Sequence, residues 1–234
     1  MPIEDLDTGC ELTAQEMNAV IVSDLHLGSK YCRFDSLLRF LRNLPPGCDL
    51  VLNGDTIDRW HKRLLATHKE ALDLLAAESF KRRVVWVRGN HDKHFEVEAP
   101  NKIEFVDSHE IGDLIFISHG FNFDKVMPFS RLFIVVFRYM HRLRIRLGAE
   151  SVHVAFYAKK FQKLYEVLKT SIRTRAVKYA KEHGFKIVTC GHTHYVEDVN
   201  VDGIEYINTG AWTEDPIYYI SVCDSKVELK QVCA

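Results

Sequence analysis

Five short blocks of the chain concentrate the residue types that bind metal ions or move protons. They are Asp24-Leu25-His26, Asn53-Gly54-Asp55, Gly89-Asn90-His91-Asp92, His119-Gly120 and Gly191-His192-Thr193-His194. Together they offer Asp24, Asp55, Asn90, His26, His119, His192 and His194 as oxygen and imidazole donors, with no thiolate among them. That mixture suits borderline divalent ions such as Mn, Fe, Co, Ni or Zn better than Ca or Mg. Seven donors exceed the needs of one tetrahedral ion and fit two ions roughly 3.5 to 4 Å apart that share a ligand, a spacing one carboxylate can bridge. Such a pair generates hydroxide from bound water at neutral pH and clamps the non-bridging oxygens of a phosphate through an in-line displacement. His91, next to Asn90, is then free to protonate or electrostatically support a leaving oxygen. Asp92 reads as a group that orients its neighbours rather than as a ligand. His61, His68, His94, His109, His141, His153 and His183 follow no such pattern and read as caps, turn residues or surface groups.

Donors so far apart in the chain need elements that bring them together. Each block follows a short apolar run of strand character, at 19–23, 50–52, 84–87, 114–118 and 186–190. A β-rich run that breaks at once into Gly, Asp, Asn or His is where a strand stops and a site begins. In open α/β sheets such sites lie beyond the carboxyl ends of the strands, so five endings can converge on one pocket. Helices are predicted at 34–43, stopped by Pro45-Pro46-Gly47, and at 61–80, with short extended pieces at 103–105 and 109–111. This β-α-β-α-β order favours a layered α/β fold. Residues 124–184 change to helix-only patterning, two or three helices separated near Gly148, and read as a cap inserted over the sheet edge. Two hairpins close the chain, 196–201 with 204–208 around Asp202-Gly203, and 217–223 with 226–232. The expected organisation is a loose arm at 1–18 and one domain at 19–234 that carries the cap.

At 234 residues, with 47% apolar and 27% charged residues, the chain suits a single folded domain with a large insertion. The net charge is only -1, yet residues 125–183 hold fourteen Lys and Arg against three Glu, so a basic segment is set into an acidic body. Within it Phe129, Leu132, Phe133, Val136, Phe137, Met140, Leu143 and Leu147 follow helical spacing, with Arg131, Arg138, Arg142 and Arg146 on another side. Large apolar residues beside clustered arginine suit an anionic membrane surface or a lipid phosphate. The plainer alternative packs the apolar side against Phe156, Phe161, Leu164 and Leu168 and leaves the arginines solvated. Nucleic acid would also meet arginines through its phosphates, but the aromatics sit among aliphatics rather than as stacking platforms. Six scattered cysteines without a Cys-x-x-Cys pair point to a reducing cytosol. The acidic, polar N-terminus does not resemble a signal peptide, and the longest apolar run, 132–137, is far short of the ~20 residues needed to span a bilayer.

As a set, the five blocks resemble the signature blocks of the calcineurin-like metallophosphoesterases, over residues 23–194. The resemblance implies a layered sandwich of two mixed β-sheets flanked by helices. It also implies two divalent ions, manganese first, with Asp24, His26 and His194 on one, Asn90, His119 and His192 on the other, and Asp55 bridging. His91 would act on the leaving group or the transition state. A narrower resemblance is to the UDP-2,3-diacylglucosamine pyrophosphatase branch of lipid A biosynthesis. It is carried by Asp24-Leu25-His26-Leu27-Gly28, Asn53-Gly54-Asp55, the helical insertion after His119-Gly120, Cys190-Gly191-His192-Thr193-His194 and Tyr206-Ile207-Asn208-Thr209-Gly210-Ala211-Trp212. In that branch the insertion covers acyl chains and the protein is cytoplasmic, peripheral to the inner membrane, which implies a lipid-linked phosphoester substrate. One position departs, because that branch has arginine where this chain has His91. The departure opens a sister-group reading, a phosphodiesterase or phosphomonoesterase acting on nucleotides or other small phosphoesters. A non-enzymatic scaffold binding a partner protein through the basic cap is a distant third, disfavoured by the complete donor set.

Overall fold

Runs of Val, Ile and Leu build the centre of the molecule, because β-branched and apolar side chains pack well on a pleated surface covered on both faces. The structure, a computed structural model, describes residues 17–59, 64, 66–126, 131–224 and 226–232. The chain order is β1 (Met17–Val22), α1 (Phe34–Arg42), β2 (Asp49–Asn53), α2 (Ala66–Glu78), β3 (Val84–Val87), β4 (Glu104–Val106), β5 (His109–Ile111) and β6 (Ile115–Ile117). A 3-10 turn (Phe121–Phe123) leads to α3 (Arg131–Arg146), α4 (Val154–Ala158) and α5 (Gln162–His183). The chain then continues through β7 (Ile187–Cys190), β8 (Val196–Val201), β9 (Ile204–Thr209), β10 (Tyr218–Cys223) and β11 (Lys226–Gln231).

The strands form two mixed sheets, ordered β11-β10-β1-β2-β3-β4 and β5-β6-β7-β9-β8. β1, β2, β3 and β4 run parallel and β10 and β11 antiparallel, while β6, β7 and β9 run parallel between antiparallel β5 and β8. The two-residue period of a strand explains the layers. On the first sheet Val20, Val22, Leu50, Leu52 and Trp86 face α1 and α2, against Leu37, Leu41, Ala71 and Leu75. The alternate residues Ile21, Val51, Val85 and Val87 face Ile115, Ile117, Ile187 and Ile207 of the second sheet. The outer face of that sheet, Phe116, Val188 and Tyr206, is covered by Ala176, Val177 and Ala180 of α5. Each fully buried aliphatic side chain contributes about 1.5–3 kcal/mol. The result is a helix-sheet-sheet-helix sandwich, the α/β architecture the sequence implies.

Several boundaries differ from the expected ones. Met17 and Asn18 belong to β1 rather than to an arm, and the rest of the arm lies outside the described residues. α2 is described from Ala66 to Glu78, and most of the expected first turn at 61–65 lies outside the described residues. Both hairpins form at the expected turns, with Val201 opposite Ile204 and Cys223 opposite Lys226. Among its described residues the insertion contains three α-helices, and Gly148 adopts φ 92° where α3 ends. Its last helix belongs partly to the body, since the second half of α5 is the layer over the second sheet. No helix among the described residues is long and apolar enough to cross a membrane.

Candidate metal centre

The loops after the strands continue the pairing of the strands themselves. Asp24 N donates to Gly54 O at 3.0 Å, His26 N to Asp55 O at 3.0 Å and Leu27 N to Thr56 O at 2.8 Å, so the first two blocks run side by side. Gly191 N donates to His119 O at 2.9 Å, which joins the fourth and fifth blocks in the same way. Trp212 N donates to Asp24 O at 3.0 Å, and Asn208 Nδ2 reaches Gly191 O at 2.8 Å, so the segment after β9 buttresses both pairs.

Holding donors in this geometry strains the backbone. Asp24, His26, Asp55, His192 and His194 have φ between 50° and 64°, a left-handed conformation rare for residues with a Cβ. The other described non-glycine residues of this kind are Asp202 and Asp224. Such residues cost of order 1–3 kcal/mol each and persist only where the surroundings over-determine them. The glycines of the blocks have a steric reason. A Cβ on Gly54 would stand 2.5 Å from the His119 ring, one on Gly89 would overlap Asp55 Oδ1, and one on Gly191 would overlap Asp24 Oδ2.

Two groups of three predicted donors result, Asp24 with His26 and His194, and Asp24 with Asp55 and His119, and a third group joins His26 to Asp58 and His91, each with its atoms within 4.8 Å of one another. Asp24 Oδ1 lies 3.2 Å from His194 Nε2, and the Nε2 atoms of His26 and His194 are 3.0 Å apart. Asp55 Oδ1 accepts from His91 N at 2.8 Å, leaving Oδ2 3.3 Å from His119 Nε2. His192 Nδ1 is 2.8 Å from Asn90 Oδ1, and the His119 and His192 rings meet edge-on with centroids 5.5 Å apart. All seven predicted donors therefore gather at one place. His119 Nδ1 lies 2.9 Å from Asn53 O and carries its proton there, so Nε2 presents a lone pair. That Nε2 and Asp24 Oδ1 are buried and make no hydrogen bond. Orphaned acceptors of this kind are costly in an apolar interior unless a cation meets them, and the donor set fits divalent ions.

The charges agree with that fit. Burial would raise the Asp24 carboxyl, but the imidazoles of His194 and His119 hold it well below the usual carboxylate range. Asp55 is likewise lowered against its burial, chiefly by His119. Burial works against charge on His26, yet the neighbouring carboxylates of Asp24, Asp58 and Asp55 push it up to about 10. His119 is pushed up to about 9 against its burial, by Asp55 and Asp24. The carboxylates thus make a place where positive charge is favoured, and bound metal would replace protons there.

The remaining predicted residues divide. His91 stands at the mouth, 29% exposed, with Nδ1 2.6 Å from Asp58 O and Nε2 4.0 Å from Asp55 Oδ2. Asp92 is fully buried and accepts from Gly89 N, Thr56 N and Trp86 Nε1 at 2.7, 2.8 and 3.0 Å. It fastens the third block to the second and has no part in any donor group. Arg138, Arg142 and Arg146 lie exposed on α3, with no described contact to the donors, and the side chain of Arg131 lies outside the described residues. The packing alternative for α3 holds in part. Phe137 packs on Tyr157 and Phe161, with ring centroids 5.5 and 5.4 Å apart, while Val135, Val136, Tyr139, Met140, Leu143 and Leu147 stay exposed.

Three residues of the centre escaped the sequence reading. Asp58 lies 3.4 Å from His26 Nδ1, and its only sequence signal is a second carboxylate three residues after Asp55. Asp124 is buried and lies 3.0 Å from His192 Nε2. His153, read as a cap, turn or surface residue, is the N-cap of α4, its Nδ1 accepting from Ala155 N at 3.3 Å, and its ring also stacks on His194 at 5.3 Å and 15° and lies 5.3 Å from His26. The insertion carries it there, because Ser151 accepts from Lys30 Nζ at 2.6 Å and pairs with the Tyr31 hydroxyl at 2.8 Å. Nothing local in the sequence marks it.

A family model described as calcineurin-like phosphoesterase matches residues 17–196. No curated protein matches the chain. Among solved structures, a phosphoesterase from E. coli, YfcE, is 14% identical over 92% of this chain and 99% of its own, with a TM-score of 0.42. The Pseudomonas putida nuclease MPE is 16% identical over 92% of this chain and 88% of its own, also at 0.42. Zinc-complexed Vps29 from Entamoeba histolytica is 17% identical over 92% and 97%, at 0.41. The family match takes in all five blocks and both halves of the donor cluster, and on it the chain belongs to the calcineurin-like phosphoesterases and is a metal-dependent hydrolase of phosphoester bonds.

Proposed function

We propose that the chain hydrolyses a phosphoester or pyrophosphate of a lipid-linked substrate, with UDP-2,3-diacylglucosamine the first candidate, using two divalent ions, manganese first. The two-ion reading is carried by the orphaned acceptors Asp24 Oδ1 and His119 Nε2, which belong to the two groups of predicted donors. In it Asp24, His26 and His194 hold one ion, Asn90, His119 and His192 the other, and Asp55 lies between them. When bound, such ions supply acidified water and positive charge for the phosphate oxygens. His91 acts at the mouth, where the Asp58 carbonyl fixes Nδ1 and leaves Nε2 to pass a proton to the departing oxygen. Asp92 keeps Asn90 and His91 in register through its three hydrogen bonds.

The lipid-linked substrate is supported by the surface of the insertion. Of the twelve exposed large apolar side chains among the described residues, ten lie between Val135 and Val167. Acyl chains laid on that surface, with Arg138, Arg142 and Arg146 meeting anionic lipid headgroups, would present the phosphate beside His153 and the donor cluster. The protein would then work at the cytoplasmic face of the membrane.

The test is to incubate manganese-loaded protein with UDP-2,3-diacylglucosamine and assay UMP, with Asp55→Ala as the blank. UMP from the wild type alone supports the proposal. Hydrolysis of an aryl phosphodiester without UMP favours the second reading, a sister-group phosphodiesterase or monoesterase on nucleotides or small phosphoesters. His91, in place of that branch's arginine, is the observation behind the second reading.

A further inference from the structure

We propose that Asp124, at the root of the insertion, is the positioning residue for His192, an inference that rests on the two-ion reading. Asp124 Oδ2 lies 3.0 Å from His192 Nε2. An ionised carboxylate only accepts, so Nε2 carries the proton and Nδ1 keeps its lone pair. Nδ1 then faces Asn90 Oδ1 at 2.8 Å, a second lone-pair donor. Two acceptors at that distance repel one another unless a cation lies against both, as it would if both were ligands of one ion. A histidine that gives its far N–H to a carboxylate while its near nitrogen meets a metal is the arrangement that fixes both tautomer and ring plane.

The orientation of Asp124 is itself fixed. Its Oδ1 accepts from Val126 N at 2.8 Å, and its own N–H donates to Phe121 O at 3.1 Å. The 3-10 turn is capped by Gly120, whose φ of 101° disfavours any side chain and where a Cβ would stand 3.1 Å from Cys190 Cβ. Phe123 O accepts from Arg175 Nη1 at 3.3 Å, so α5 braces the turn from the other end of the insertion. The chain leaves His119, turns once and returns a buried carboxylate to the ring of His192. The insertion is therefore part of the metal centre as well as a cover over it.

The experiment measures manganese uptake by the metal-stripped full-length protein, from the decline of the free-ion electron spin resonance signal. The wild type is expected to take up two ions. Asp124→Asn keeps the size of the side chain, and its amide can still accept from Val126 N, but it no longer holds the His192 proton as a carboxylate does. Its second ion is expected to bind 10–100-fold more weakly with the first unchanged, and the stripped variant should melt at the wild-type temperature. Asp124→Glu restores the charge on a longer arm and should recover part of the affinity; it stands in for Asp124→Asn if that variant does not fold. Two ions bound with wild-type affinity by a folded Asp124→Asn would overturn the proposal alone. A wild type that binds fewer than two ions would overturn the two-ion reading and this proposal with it.

Discussion

In the loops after β1, β2 and β7, all five donor residues hold left-handed backbone, and four of them, all but His192, are buried. On α3 and the residue after it, six large apolar side chains are between 42% and 79% exposed. The first region accepts strain because rigid sheets on both sides leave the donors no other arrangement. The second leaves apolar area in water, although burial is the main stabilising term in folding. Unburied apolar surface of that extent is the observation behind the proposed lipid-linked substrate. The two regions meet at His153 and Asp124, which the insertion contributes to the centre.

The sharpest way to break the contrast is to disturb the strained region. Gly89→Ala sets a methyl group into the Asp55 carboxylate. It should cost about 1–3 kcal/mol in stability and abolish turnover of any phosphoester, read by urea denaturation and an aryl phosphodiester assay. An alanine variant that keeps wild-type rates would mean that Asp55 need not stay where the structure has it. Metal removal should act on the same region through mass action. Each ion present at 100 times its dissociation constant adds about 2.7 kcal/mol, so a chelator should lower the melting temperature of the wild type. Asp55→Asn, which weakens the ligand that both ions share in the two-ion reading, should show little of that shift.

The donors were legible because each follows a β-run and chemistry at strand ends needs only local sequence. The strands were legible as short apolar runs in β-α-β order, and their division into two mixed sheets only through the resemblance to the family. Asp124 was not, since the ring it holds is 68 residues away and an isolated Asp after a Phe-Asn-Phe turn looks like any loop carboxylate. His153 was hidden for the same reason, and its position depends on contacts from Lys30 and Tyr31. The division of α5 was hidden for another. A helical period reveals that Ala176, Val177 and Ala180 share a face but not whether a sheet or the rest of the insertion covers it. Left-handed backbone at Asp24 or His192 leaves no compositional mark, because neither residue is a glycine.

Arginines sharpen the comparison further. Arg82 in the body pairs with Glu78 at 2.8 Å, both side chains 8% exposed, and donates to Pro45 O and Cys48 O at 2.7 and 3.0 Å. Losing one partner of so buried a pair costs up to about 3 kcal/mol. Burial raises the Glu78 carboxyl, but hydrogen bonds from Lys81 and Arg82 outweigh it and hold it below its ordinary 4.5. A group lowered on folding adds stability above its unfolded value and loses it as pH falls through the folded one. The stability gap between wild type and Glu78→Gln should therefore be full at pH 6 and close below pH 4.5, as measured by urea midpoints. A gap independent of pH would mean that the carboxylate's charge is irrelevant to the pair.

Arg138, Arg142 and Arg146 should behave in the opposite way. Each is exposed on α3, and exposed substitutions usually move stability by less than about 0.5 kcal/mol. The triple Glu variant should therefore melt within a few degrees of the wild type and keep its turnover of a small water-soluble aryl phosphodiester, which needs no membrane. Its effect should appear only at a lipid surface. A basic residue near an anionic bilayer contributes about 1 kcal/mol, so exchanging three for carboxylates should lower partitioning onto phosphatidylserine vesicles by roughly 100-fold or more. Co-sedimentation at low salt measures it, and the difference should shrink as salt screens the charges. If wild type and variant sediment alike, the arginines are solvated and the exposed apolar residues of α3 answer to a partner that does not read charge. If the variant stays in solution with its small-substrate turnover intact, docking and chemistry are separable, one on the surface of the insertion and the other at the strand ends.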